Sequence, residues 1–160
     1  MAESAGPRVR RVDFACAEDV SSYLELLDAY ARDPMGGGAA LPREVRKRLP
    51  RDLAERPGTF CLLVEITGQV AGMATCFLGY STFRARPLLN IHDIAVRNES
   101  RGRGAARALL DAITDLATQL GCCRITLEVR EDNGRARAIY RQAGFVPGGC
   151  GLFMEKALLE

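Results

Sequence analysis

The chain has 160 residues, 48% of them hydrophobic, enough for one compact domain and too few for two that each bury a sizeable core. Twenty-two basic residues against 20 acidic ones leave a formal charge of +2, too balanced to imply a polyanionic partner. The N-terminus has no signal-like apolar core and no run approaches the roughly 18 apolar residues of a spanning helix, so a cytoplasmic protein without membrane attachment is expected.

Taken in chain order, "VRRVDFA" (9–15) reads as a first strand. "AEDVSSYLELLDAYARD" then sets Val20, Tyr23, Leu24, Leu27 and Ala31 on one side of a helix. "PMGGG" (34–38) stops that helix and leaves a glycine loop that is either a plain connection or a wall of a substrate site. A second helical piece lies in "LPREVRKRLPRDLAERP", with Pro42 suited to its start and Pro50 expected to divide or bend it.

Two apolar runs joined by "TGQ" give the strongest hairpin signal, "TFCLLVEITGQVAGMATCFLGYS". "PLLNIHDIAV" supplies another strand. Ala106, Leu109, Leu110, Ile113, Leu116, Ala117 and Leu120 then mark one face of a long helix. "CRITLEV" alternates as a strand, Ala136, Ile139, Tyr140 and Ala143 form a further amphipathic helix, and "GFV" and "GLFMEKAL" are expected to close the sheet. This order predicts one α/β (α+β) domain over residues 8–158, a mixed sheet covered by helices on both faces. The six cysteines, at 16, 61, 76, 122, 123 and 150, form no C-x-x-C pair and read as buried thiols rather than zinc ligands or disulfides, so no metal is expected.

The chemistry concentrates where "NIHDIAV" ends and "RGRGAARALL" opens a helix. Gly102 permits an unusual turn, Gly104 permits close backbone approach, and Arg101 and Arg103 add charge beside free helix-start amides, an arrangement suited to a phosphate. An ordinary turn with a solvated face fits "RGRG" as well. No Lys-Ser or Lys-Thr follows the glycines, and the full dinucleotide fingerprint is absent.

Arg101, Gly104 and Ala106 in "RGRGAA", following that apolar strand, together with Asn133, Ala136 and Tyr140 in "NGRARAIYRQAGF", resemble the signatures of the Gcn5-related N-acetyltransferase (GNAT) superfamily. The resemblance implies acetyl-CoA as donor. Its pyrophosphate would rest on the amides of Arg101, Gly102, Arg103, Gly104, Ala105 and Ala106. The backbone of Ile94, Ala95 and Val96 would bind the pantetheine arm between splayed fourth and fifth strands. Asn133 would contact that arm or cap its own helix, the two readings standing side by side since "DNG" is also turn chemistry.

Tyr140 would act as general acid toward the departing thiolate, against the plainer reading of a packed ring. His92 and Asp93 in "IHDI" are the candidate bases for the amine, His92 the better matched by its ordinary pKa. Neighbouring strand residues face opposite ways, so both would line one pocket only if a bulge intervened. "GYSTF" before "NIHDIAV" is similar to diamine acetyltransferases, although His92 and Ala95 stand where that subgroup tends to have an acid and an aromatic. Asp33, Tyr80 and His92 are expected to line the acceptor pocket. The expected activity is acetyl transfer to a primary amine of a small molecule. A protein N-terminal or lysine acetyltransferase, or a non-catalytic acyl-CoA-binding domain, are the alternatives. A homodimer is possible within the resemblance. The cations at 43, 46, 47, 48 and 51 are interrupted by Glu44 and lack aromatic neighbours, so nucleic acid is not an expected partner.

Overall fold

The computed structural model describes residues 6–149 and 153–158. The elements are β1 (Arg8–Arg11), α1 (Ala17–Arg32), α2 (Arg43–Glu55), β2 (Thr59–Ile66), β3 (Gln69–Ser81), β4 (Arg86–Val96), α3 (Ala105–Gln119), β5 (Ile125–Leu127) and α4 (Gly134–Gln142), with a short 3-10 turn at Asn98–Ser100. They build one sheet in the order β1-β2-β3-β4-β5. The first four strands run antiparallel to their neighbours and β5 runs parallel to β4.

The alternation of β2 explains the layers. Leu62, Val64 and Ile66 point to a core shared with Leu109, Leu110 and Ile113 of α3, against which Ile139 and Tyr140 of α4 also pack. Cys61 and Leu63 point the other way, to Tyr23, Leu24 and Leu27 of α1 and Leu53 of α2. A period of two with both phases apolar is what a sheet buried on both faces requires. The predicted hairpin is present, and its turn is Thr67-Gly68 with both residues at positive φ (51° and 78°), the twist that a two-residue loop needs.

Three expectations are corrected. The first strand stops at Arg11 rather than running to residue 15, because Asp13 folds the chain into a turn: its Oδ1 accepts from Ala15 N at 2.9 Å and its carbonyl from Cys16 N at 3.0 Å. Pro50 does not divide the second helix, since Leu49 and Leu53 on either side of it are held on the same apolar cluster. The closing strands are not formed in the described residues: 144–149 and 153–158 carry no strand, Pro147 has no amide for a ladder, and Phe153, Met154 and Leu158 are exposed. Residues 151–152 of the second run lie outside the described residues.

The cysteines behave as small hydrophobes. Cys61 and Cys76 are buried, Cys16, Cys122 and Cys123 half-buried, and all five are free; Cys150 lies outside the described residues. Burial pushes the Cys61 thiol up to about 11 and Cys76 up to about 12. Among the described residues no cluster of His, Cys, Asp and Glu is arranged to hold a metal, and no helix is long and apolar enough to cross a membrane.

Candidate active site

Two irregularities of β4 make the site. In the β3–β4 ladder Thr75 opposes Asp93 and Cys76 opposes Ile91, so His92 is an extra residue. This bulge cancels the alternation that would have sent His92 and Asp93 to opposite faces. The His92 ring sits edge-on to Phe77 at 5.3 Å, and Phe77 belongs to the α1–α2 layer. Asp93 is paired with Thr75, whose hydroxyl meets Tyr23 of α1. Both candidate bases therefore lie toward α1. His92 is exposed and Asp93 half-buried. Burial raises the Asp93 carboxyl above the ordinary range, while the charge of His92 and a hydrogen bond from Thr75 pull it back.

The second irregularity is a parting of strands. β5 pairs with β4 only at Leu89, Asn90 and Ile91, opposite Ile125, Thr126 and Leu127. Ile94, Ala95 and Val96 remain laddered to β3 through Ala74, Met73 and Gly72, but no strand covers their other edge among the described residues. Strands usually lie under about 5 Å apart, so this parting opens a slot beside the backbone.

The slot leads to the turn that precedes α3. Gly102 and Gly104 adopt φ of 76° and 84°, a region that side chains resist, and Gly104 is the N-cap of α3. A glycine cap has no side chain to accept from the helix, so the amides of Ala105, Ala106 and Arg107 have no capping partner. Arg101 and Arg103 are exposed and make no ion pair among the described residues. Free amides, a helix dipole and two unpaired guanidiniums are the chemistry that suits an anion.

Tyr140 comes from α4, on the other face of the sheet. Burial pushes its phenol up to about 12, with Tyr30 of α1 adding to the rise, and its ring packs on Phe145 at 5.9 Å. No hydrogen bond engages its hydroxyl among the described residues. Asn133 is the N-cap of α4: its Oδ1 accepts from Ala136 N at 3.1 Å.

Not every predicted residue joins this group. Asp33 closes α1 and its Oδ1 accepts from Met35 N at 2.8 Å, a local turn bond. Tyr80 is 62% exposed and sits five positions beyond Thr75 on β3, roughly 16 Å along the strand from the Asp93 level. The glycine loop is a helix stop: Gly37 and Ala39 both donate to Ala31 O at 3.1 Å, so those amides are engaged with α1. Tyr30 was missed by the sequence reading. Burial raises its pKa, and the charges of Asp93 and Asp33 add to the rise. Its seven-residue spacing from Tyr23, two turns of helix, was the available signal.

A family model described as "Acetyltransferase (GNAT) family" matches residues 23–145, most of the chain. The chain belongs to this family. Among curated GNAT relatives, a thialysine N-ε-acetyltransferase from Bos taurus is 30% identical over 98 residues, 56% of this chain and 57% of that protein. A putative [ribosomal protein bS18]-alanine N-acetyltransferase from Bacillus subtilis (strain 168) is 29% identical over 98 residues, 61% of each chain. The matched segments thus span little more than half of those relatives. An aminoglycoside acetyltransferase from an uncultured soil metagenomic sample shares the fold at a TM-score of 0.78 and 15% identity, over 96% of this chain and 97% of that one.

Proposed function

We propose that the chain is an acetyl-CoA-dependent N-acetyltransferase acting on the primary amine of a small molecule. The observation that carries the reading is the continuity of three features: the open edge at Ile94–Val96, the uncapped α3 amides, and the His92–Asp93 bulge on one strand. The amides of Gly102 to Ala106 would hold a pyrophosphate, with Arg101 and Arg103 adding charge-assisted bonds. The backbone of Ile94, Ala95 and Val96 would bond an extended amide-bearing arm as a strand would. Asn133 and Ala136 would shape the slot from α4. Bound acetyl-CoA supplies an activated acetyl group and a thiolate leaving group.

The residues of the chain then manage two protons. An ammonium has no lone pair, and the Asp93 carboxylate, lifted by burial and flanked by His92, takes one proton from it directly or through water. Tyr140 keeps its own proton at neutral pH and presents it to developing negative charge on sulfur. A phenol near 12 against a thiol near about 8.5 makes complete transfer uphill, so its contribution is a strong hydrogen bond as the C–S bond breaks.

A protein amino terminus is the second acceptor to test, favoured by the bS18-alanine relative. The deciding experiment is acetyl-CoA turnover against small amines and amino-terminal peptides, with product mass identifying N-acetylation. Turnover on peptides alone would replace the small-molecule reading. Acetyl-CoA binding with no turnover on any amine would favour a non-catalytic acyl-CoA module.

A further inference from the structure

Tyr23 is 1% exposed and Thr75 2% exposed, yet each brings a hydroxyl into an apolar layer. The two oxygens lie 2.5 Å apart, and Cys61 Sγ donates to the Tyr23 oxygen at 3.8 Å. Thr75 stands directly opposite Asp93 in the β3–β4 register, and its hydroxyl is among the influences that lower the Asp93 carboxyl against burial. Hydroxyls at such depth are tolerated only when matched, and a Phe–Val pair would fill the same space with no polar atoms to satisfy.

Counting protons gives the chain a direction. A carboxylate only accepts, so a Thr75 hydroxyl turned to the Asp93 opposite it would give its single proton there. Thr75 then accepts from Tyr23, and Tyr23 accepts from Cys61. Each bond strengthens the next in a low-dielectric interior.

We propose that Tyr23 and Thr75 form a buried relay that reaches from α1 to the β4 bulge and aims the Asp93 carboxylate at the acceptor side of the site. They are positioning residues that act through Asp93, and the proposal rests on the reading of Asp93 as a site residue. The titratable groups whose charge interacts with that carboxyl are His92 beside it, Tyr23 and Tyr30 from α1, Cys61 from β2 and, from the opposite face of β3, Cys76. His92 and the Thr75 hydroxyl draw its pKa down against burial. The relay therefore helps to keep Asp93 ionisable.

The test is an NMR titration of Asp93 in the intact chain with isotope-labelled aspartate, the resonance assigned by its loss in Asp93→Asn. Thr75→Val removes the donor, and the carboxyl midpoint is expected to rise by about one pH unit; Thr75→Ser keeps the hydroxyl and should hold it. Tyr23→Phe, which keeps its ring in the core, should give a smaller rise, and none when added to Thr75→Val. An unchanged midpoint in Thr75→Val, or a response to Tyr23→Phe that does not depend on the Thr75 hydroxyl, overturns the relay. Were Thr75→Val unable to fold, an unchanged midpoint in Tyr23→Phe would overturn it alone. The titration needs no acceptor, so full turnover in Asp93→Asn would reject the base role while leaving the relay result standing. With a reactive amine, the acidic limb of kcat/KM should follow the carboxyl upward in Thr75→Val.

Discussion

Tyr140 is half-buried against apolar neighbours, and no hydrogen bond engages its hydroxyl among the described residues, which leaves the oxygen free for a ligand. Tyr140→Phe keeps the ring and its contact with Phe145, so folding and acetyl-CoA affinity are expected to stay near wild type. Saturated turnover should fall about 10²-fold, a barrier increase of roughly 2.7 kcal/mol, measured on an amine already shown to react. Near-normal turnover in the folded variant would return Tyr140 to packing alone. Gly104 is demanding for a different reason. A Cβ there would meet only Pro7, at 3.5 Å, so space is available, but φ of 84° is not available to valine without strain. Gly104→Val should therefore distort the turn that presents the α3 amides and weaken acetyl-CoA binding at least tenfold by calorimetry, with the far-ultraviolet spectrum retained. Unchanged affinity would remove the pyrophosphate from this turn.

Among the elements, the short β1 is held by charge as much as by its ladder. Arg10 spans two elements, donating to both oxygens of Asp19 in α1 at 2.6 and 2.8 Å and to Glu65 in β2 at 2.6 Å. Asp19 is buried and also accepts from Asp13 N at 2.8 Å, and the guanidinium beside it holds its carboxyl below the ordinary range. Asp19→Asn is expected to cost about 1.5–3 kcal/mol in urea unfolding at neutral pH. A depressed folded pKa contributes stability above the unfolded value of about 3.9 and loses it as pH falls through the folded one, so the gap between wild type and variant should close in acid. A gap that persists at low pH would assign the effect to packing. These elements were largely legible: both helical faces and the hairpin follow from periodicity and turn residues. The short β1 was not, because its end is decided by the turn in which the Asp13 carbonyl and Oδ1 accept from Cys16 N and Ala15 N.

On the scale of the whole molecule, β4 divides two duties between its edges. One edge is laddered to β3 through Val96, while the other is covered, among the described residues, only as far as Ile91. An incompletely paired central strand leaves stability to be gained from a ligand that completes it. Acetyl-CoA at about 100 times its Kd is expected to add about 2.7 kcal/mol, which for a chain of this size raises Tm by roughly 5–10 °C. Thermal unfolding with and without acetyl-CoA measures this, and Gly104→Val should lose most of the shift.

By itself the sequence determined the features that depend on neighbours along the chain. Strand runs apolar in both phases specified a sheet buried on both faces, "TG" specified its hairpin turn, and two glycines before an apolar helix specified an uncapped N-terminus. Those signals are local because φ preferences and side-chain periodicity are local. Only the tertiary structure decided which way His92 and Asp93 face, since a bulge is a property of two strands in register and "IHDI" reads the same with or without it. It alone brought Tyr23 into hydrogen-bond contact with Thr75, 52 residues away in sequence and opposite Asp93, and separated Tyr80 from that level of the sheet. Contacts between distant segments are set by how layers pack, and packing is not written in any single stretch of the chain.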